Sequence, residues 1–320
     1  MEASDATIGY SGNSGAASPP RSLEASSPRY GEKIIKALLA ACAIVSVLTT
    51  TGIVISLLLP TIHFFGEVSL TDFFFHSDWA PTFSPATFGV LSIVIGTLST
   101  TLWGMLFAVP IGLMIAIWLS EYASPRGRKI VKPVIEVLAG IPTVAIGLFA
   151  ITALKPFLDN FVPALESTPF AAGVAGIAIG LMITPIIASI SDDAMRSVPG
   201  GLREAAYGLG ATRMKVATRV VFPAAISGIV ASVVLAGSRA IGETMIVLLA
   251  AGSQATTSFA FTSPVQTMTA FIGTTATGDI GTGTITYDTI FAVGSLLFVM
   301  TLFMNIFAIR LVRRFREVYE

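Results

Sequence analysis

Charge is scarce in this sequence. Asp, Glu, Lys and Arg make up 12% of its 320 residues, about half of what a soluble domain carries. That excludes an ordinary water-soluble globular protein. Cysteine is almost missing: Cys42 stands alone, so no internal disulfide can form. The two histidines, His63 and His76, share one loop. There is no Cys/His cluster for a metal, and no metal-ligating residue is expected. A GxxxxGK[ST] phosphate loop is also lacking, so the chain is not expected to hydrolyse ATP itself. No His, Cys or paired-carboxylate constellation falls within the apolar runs. That argues against an intramembrane enzyme, and no catalytic residue is expected. The formal net charge is +0, so partners are read from where charge sits and not from its total.

What the sequence has instead is apolar length. Hydrophobic residues reach 53% and mean hydropathy is +0.81. Residues 1–30 are rich in Ser, Ala, Gly and Pro without apolar period, and read as a disordered cytoplasmic tail ahead of a membrane domain over 31–320. The first apolar run is too long for a signal-peptide core. Six spans are expected near Ile34–Ile62, Thr87–Leu119, Val134–Ala153, Ala171–Ser191, Ala224–Ala251 and Thr289–Ile309. The second is long enough that it must tilt, kink at Pro110 or begin outside the bilayer. The fourth, interrupted by Pro185, has re-entry as an alternative.

Basic residues give the orientation. With the N-terminus cytoplasmic, the inside segments are the tail, 120–133, 192–223 and the C-terminus. With Lys33 and Lys36, at the head of the first run, counted with the tail, they hold 17 of the 19 Lys and Arg, leaving only Lys155 outside and Arg239 deep within a span. An even number of spans with both termini cytoplasmic fits that asymmetry. The loop 63–86 is dense in aromatics, which suit either an interfacial belt or a platform for an external protein. The loop 252–288 is rich in Gly and Thr, with Asp279 and Asp288.

Residues 200–223 read as a helix–turn–helix elbow. Gly200 and Gly201 interrupt the chain. Leu202 to Tyr207 forms a short helix with Glu204 in its first turn, where the helix dipole favours a carboxylate. Gly208 and Gly210 permit a sharp turn. Thr212 caps a second helix carrying Arg213, Lys215 and Arg219. Pro223 opens the fifth span. An ordinary amphipathic interfacial loop is the other reading.

Glu204, Ala205, Ala206, Gly210 and Pro223 resemble the EAA-x3-G-x9-I-x-L-P loop of ABC-importer permeases, with Val220 and Phe222 departing from its Ile and Leu. Trp79-Ala80-Pro81, Val109-Pro110-Ile111-Gly112, Leu119-Ser120-Glu121-Tyr122, Gly140-Ile141-Pro142-Thr143 and Ser238 to Met245 (SRAIGETM) extend the likeness over about residues 30–316. There the chain resembles phosphate-specific transport permeases of the PstC type. The resemblance implies an all-α, six-transmembrane-helix protein with the type I ABC importer (MetI-like) fold. It also implies a heterodimer with a PstA-type permease subunit, two phosphate-transport ATPase subunits and an external phosphate-binding protein. ATP and Mg would sit on the ATPase partners, with no cofactor in this chain. Membrane lipid is expected around it, and no nucleic acid. The Ser-rich tail is not part of the family pattern.

Arg239 lies 16 residues beyond Pro223, about 24 Å along a helix. Glu243 follows four residues later, on the same face of a continuous helix. A charge at that depth costs about 2.5–3.5 kcal/mol or more unless paired or wet. Two readings follow: a structural Arg239–Glu243 pair, or a polar station for a small anion that includes Thr244. Glu136 is expected to reach Lys132 or Arg128. Pro142 and Pro185 suit kinks, and Thr143 and Thr184 offer hydroxyls to a pathway or to their own backbone. An ion-coupled secondary carrier would also explain Arg239 and Glu243. It would not explain the elbow, and the chain shows no two-half repeat.

Overall fold

The computed structural model describes residues 30–163 and 168–315. The expected tail over residues 1–30 lies outside that range, apart from Tyr30. The chain divides into two units, residues 1–53 and 54–320, described in turn.

The first unit holds the start of α1 (Tyr30–Glu67). Its leucines, isoleucines and valines are exposed, as is Cys42, a surface suited to lipid. Thr49 and Thr50 donate their hydroxyl protons to the Val45 and Ser46 carbonyls at 2.9 and 3.0 Å. Their polarity is thereby absorbed by the helix's own backbone.

In the second unit α1 ends, and α2 (Leu70–Phe75) follows. A two-residue antiparallel hairpin comes next, β1 (Trp79–Ala80) with β2 (Thr87–Phe88), the only sheet among the described residues. The aromatics of this region neither form a simple belt nor all face outward. Phe64, Phe73 and Trp79 are buried with Phe271, while Phe75 and Phe83 are exposed. Edge-to-face contacts join Phe64 to Phe73 at 5.4 Å and Trp79 to Phe271 at 4.8 Å, so the aromatics build a small core of their own. His63 Nδ1 lies 2.7 Å from Asp288 Oδ2 across it.

The long second run begins ahead of its helix: Thr87 and Phe88 belong to the hairpin, and α3 starts later (Leu91–Ile117). It passes through Pro110 and ends in a π-helical turn, Trp118–Tyr122. The fourth run is one continuous helix, α6 (Ala172–Arg196), containing Pro185, so it does not re-enter. It is the centre of the unit: 72% of its most apolar stretch is buried. Glycines set its approach to α3. A Cβ on Gly180 would meet the Gly104 carbonyl oxygen at 2.9 Å, and one on Gly112 would meet Ile187 Cβ at 2.9 Å. Small residues at a helix crossing permit this closeness, and dispersion then rewards it.

The third and fifth expected spans are corrected. Val134–Ala153 straddles a break: α4 (Pro125–Leu138) and α5 (Thr143–Asp159) meet at 87°. α4 has already ended at Leu138, and Pro142, extended at φ −57° and ψ 132°, is the cap from which α5 starts, so it opens a new helix instead of kinking one. α4 carries Arg126, Arg128, Lys129 and Lys132 and buries none of its residues, which suits an interfacial helix. Ala224–Ala251 is likewise interrupted. α7 (Gly200–Gly208) and α8 (Arg213–Ala224) precede α9 (Ile226–Ile241), with 72° between α8 and α9. A second interruption at Gly242–Thr244 precedes α10 (Met245–Ala250). Ala225 and Gly242 share one conformation, φ −92°, ψ 3° and φ −87°, ψ 2°; this bridge region stops a helix. After α11 (Met268–Thr277) the chain closes with α12 (Ile285–Phe315). Among the described residues, four helices are long and apolar enough to cross a membrane, and six segments are if each bent pair counts as one span.

Candidate functional site: the elbow and the broken fifth span

The elbow forms, with two changes from expectation. α7 starts at Gly200, after an extended Pro199, so Glu204 lies in the second turn and not the first. Pro199, not the glycine pair, interrupts the chain. Gly210 turns at φ +80°, open to glycine at no steric cost. Thr212 Oγ1 accepts from Lys215 N at 3.5 Å and caps α8. Pro223 closes the elbow's second arm; α9 starts three residues later. Proline's fixed φ and missing donor suit a helix that is about to turn.

The side chains divide cleanly. Glu204, Ala205, Gly210 and Pro223 are exposed, and Ala206 is half-buried. Ala206 leans on the core formed by Met195, Val198, Val216 and Val221. Tyr207, Leu209 and Met214 present apolar surface outward, Leu209 at 90% exposure. A short helical hairpin with apolar tips and a fixed back is a shape that fits a cleft in another protein.

Beneath the elbow lie ion pairs that the sequence analysis did not single out. Arg203 Nε and Nη2 donate to Glu121 Oε1 at 3.2 and 3.0 Å. Arg128 donates to the fully buried Asp192 at 2.6 Å, and Lys132 pairs with Asp193. Glu136 therefore does not reach Arg128 or Lys132. It accepts instead from Ser189 Oγ at 3.2 Å. Charged residues bracketing apolar runs were visible in the sequence, but pairings across 61 to 82 positions were not. Thr184 donates to the Gly180 carbonyl at 2.7 Å, within its own helix.

At the other end of the segment the expected Arg239–Glu243 pair is absent among the described residues. Because the helix breaks at Gly242, the four-residue spacing no longer places the two on one face. Glu243 is buried at 8% exposure. Its Oε1 accepts from Met245 N at 3.0 Å and Ile246 N at 3.2 Å, capping α10. Its backbone carbonyl accepts from Thr269 Oγ1 at 2.6 Å. Oε2 makes no hydrogen bond among the described residues. Arg239 sits in the last turn of α9 and is exposed, with no ion pair among the described residues. Each charge thus occupies the helix end whose dipole favours it, which removes the need for mutual neutralisation. Thr244 is half-buried in the break, its hydroxyl 3.5 Å from the Gly242 carbonyl. Ser238, beside Arg239, donates to Asn305 Oδ1 at 3.2 Å and fastens α9 to α12.

The structure therefore brings Glu243 and Thr244 together in one break, leaves Arg239 one turn away on the surface, and sets the elbow residues apart from both. Two bent segments and an interrupted helix behind a hairpin elbow form a recognisable pattern. The membrane subunit of a bacterial alginate ABC transporter aligns with a TM-score of 0.62 over 88% of this chain and 95% of that one, at 20% identity. A chain of the MetNI methionine ABC transporter aligns with a TM-score of 0.52 over 72% of this chain and 95% of its own, at 20% identity. At that identity the likeness concerns the fold, which is that of ABC importer permeases. In sequence, the probable ABC transporter permease protein YqgH of Bacillus subtilis is 35% identical, covering 88% of this chain and 90% of its own. The phosphate transport system permease protein PstC of Mesorhizobium japonicum is 33% identical, covering 84% and 86%. The model of the binding-protein-dependent transport system inner membrane component family matches residues 108–317, and the chain belongs to that family.

Proposed function

We propose that this chain is the transmembrane permease subunit of an ATP-driven phosphate importer, lining the translocation pathway with a second, PstA-type permease subunit. The observation that carries the reading is identity with PstC permeases at 33% over 84% of the chain. The exposed elbow supports it: Glu204, Ala205, Ala206, Gly210 and Pro223 face outward or support what does. An ion-coupled carrier would have no use for such an element. Residues 31–320 act as the permease domain, with residues 200–223 docking on one of two ATPase subunits. Those subunits bind ATP and Mg and perform the hydrolysis. The elbow side and both termini face the cytoplasm on this reading, which the concentration of basic residues on the elbow side supports. The hairpin side then receives the external phosphate-binding protein.

Arg239, Glu243 and Thr244 form the polar station on the path. Arg239, exposed on this chain alone, faces the second permease subunit and binds phosphate oxygens bidentately. Glu243 keeps Oε1 on α10 and offers Oε2 to the protonated oxygen that phosphate carries and sulfate lacks. The station is transient, since a tight site would slow release.

The test is reconstitution of the complete assembly in liposomes. ATP hydrolysis stimulated by phosphate-loaded binding protein, with phosphate uptake, is the expected result. Phosphate transport by this chain alone would overturn the reading. For the station, Glu243→Gln should narrow discrimination against sulfate; unchanged anion preference removes Glu243 from it.

A further inference from the structure

The elbow is not rigidly continuous with the fifth span, because 72° separates α8 from α9 at Ala225. What holds the elbow is the π-helical turn Trp118–Tyr122 at the end of α3. Arg203, in the first arm, uses all three of its guanidinium nitrogens. Nη1 donates to the Val198 carbonyl at 2.7 Å and Nη2 to the Met195 carbonyl at 2.8 Å, where α6 ends. Nε and Nη2 donate to Glu121 Oε1, which also accepts from Ser120 Oγ at 3.0 Å. Glu121 is only 7% exposed.

The next residue holds the second arm. The Arg213 guanidinium stands 5.3 Å from the centre of the Tyr122 ring, and Tyr122 Oη lies 3.6 Å from Met214 Sδ. Adjacent side chains of one turn therefore grip both arms of the elbow. A π turn inserts one extra residue, which separates these two side chains from the stripe α3 shows to its neighbours, and such turns concentrate at functional sites. Buried ion pairs add little net stability over an apolar replacement, because desolvation offsets the attraction; what they fix is geometry. The turn in turn belongs to a helix seated on α6 through glycines that leave no room to slip.

We propose that Glu121 and Arg203 are positioning residues that form the coupling strut of this permease. Motion imposed on the elbow passes through the Glu121–Arg203 pair into α3, and not along the bent connection into α9. The proposal rests on the reading that the elbow docks on an ATPase subunit.

The experiment uses the complete transporter in proteoliposomes, with phosphate uptake and ATP hydrolysis measured side by side. Glu121→Gln and Arg203→Gln complexes should co-purify with the ATPase and hydrolyse ATP, while phosphate imported per ATP falls about tenfold, within the usual span of coupling free energies. Glu121→Asp, which keeps the carboxylate, should recover most of the ratio. An unchanged ratio in Glu121→Gln overturns the strut. So does a parallel fall of uptake and hydrolysis, or failure of this near-isosteric variant to assemble, since either reports a folding role only. Glu204→Arg on the exposed face separates the underlying reading: it should weaken ATPase co-purification. If co-purification and uptake both survive Glu204→Arg, it is the docking of the elbow that fails.

Discussion

Glu121 and Glu243 are equally buried, at 7% and 8% exposure, yet they are held in opposite ways. Glu121 meets a guanidinium that arrives from 82 residues away. Glu243 meets only main-chain N–H groups two and three residues on. The first arrangement ties separate elements together and leaves no charge uncompensated. The second finishes a short helix locally and, among the described residues, leaves the carboxylate without a counter-charge and Arg239 exposed without one. On the proposed reading, which sets this segment near the bilayer core, charge left over in this way is what a substrate meets.

Substitutions can break this contrast or sharpen it. The largest effect on stability belongs to Glu121→Ala. It strands Arg203 against two carbonyls in a buried setting, at a cost of about 3–5 kcal/mol, seen as early thermal inactivation of the purified complex. Glu243→Ala should cost less, about 1.5–3 kcal/mol, because charge-assisted bonds to two N–H groups are lost but no opposite charge is stranded. Equal losses at the two sites would erase the distinction. Thr269→Val removes the donor to the Glu243 carbonyl, and about 1 kcal/mol should go with it. An unchanged inactivation temperature there would show that α11 does not brace the break. Arg239→Ala should move stability least, within roughly 0.5 kcal/mol of the parent, as at other surface positions.

The same contrast explains what could be read from the sequence. The elbow was legible because its signals are local: a cap at Thr212, a turn at Gly210, and the Glu204-Ala205-Ala206 run. The central helix α6 was legible from its unbroken apolar length. The breaks were not. Hydropathy measures how apolar a run is and not where it changes direction, so Val134–Ala153 and Ala224–Ala251 each passed as one helix. Pro142 reads as a kink in the sequence, although it lies beyond the end of α4 and caps the start of α5. Ala225 carries no sequence signal at all, since alanine favours helix. It joins Val221 and Ile229 in the core below the elbow, a grouping set by the tertiary fold. Once Gly242 breaks the helix, the spacing that suggested an Arg239–Glu243 pair loses its meaning. The Glu121–Arg203 pair, joined only by the tertiary fold, had no sequence signature beyond two charges beside apolar runs.

Charge left unpaired at the break is proposed to serve the substrate and not the fold. The most direct measurement is phosphate uptake by the complete complex carrying Arg239→Ala, with assembly and thermal stability recorded on the same preparation. The expected result is a complex that assembles and resists heat like the parent while uptake falls about tenfold or more, a loss of roughly 1.4 kcal/mol in the rate-limiting step. Near-normal uptake, or a loss of uptake that merely follows a loss of assembly, would contradict it.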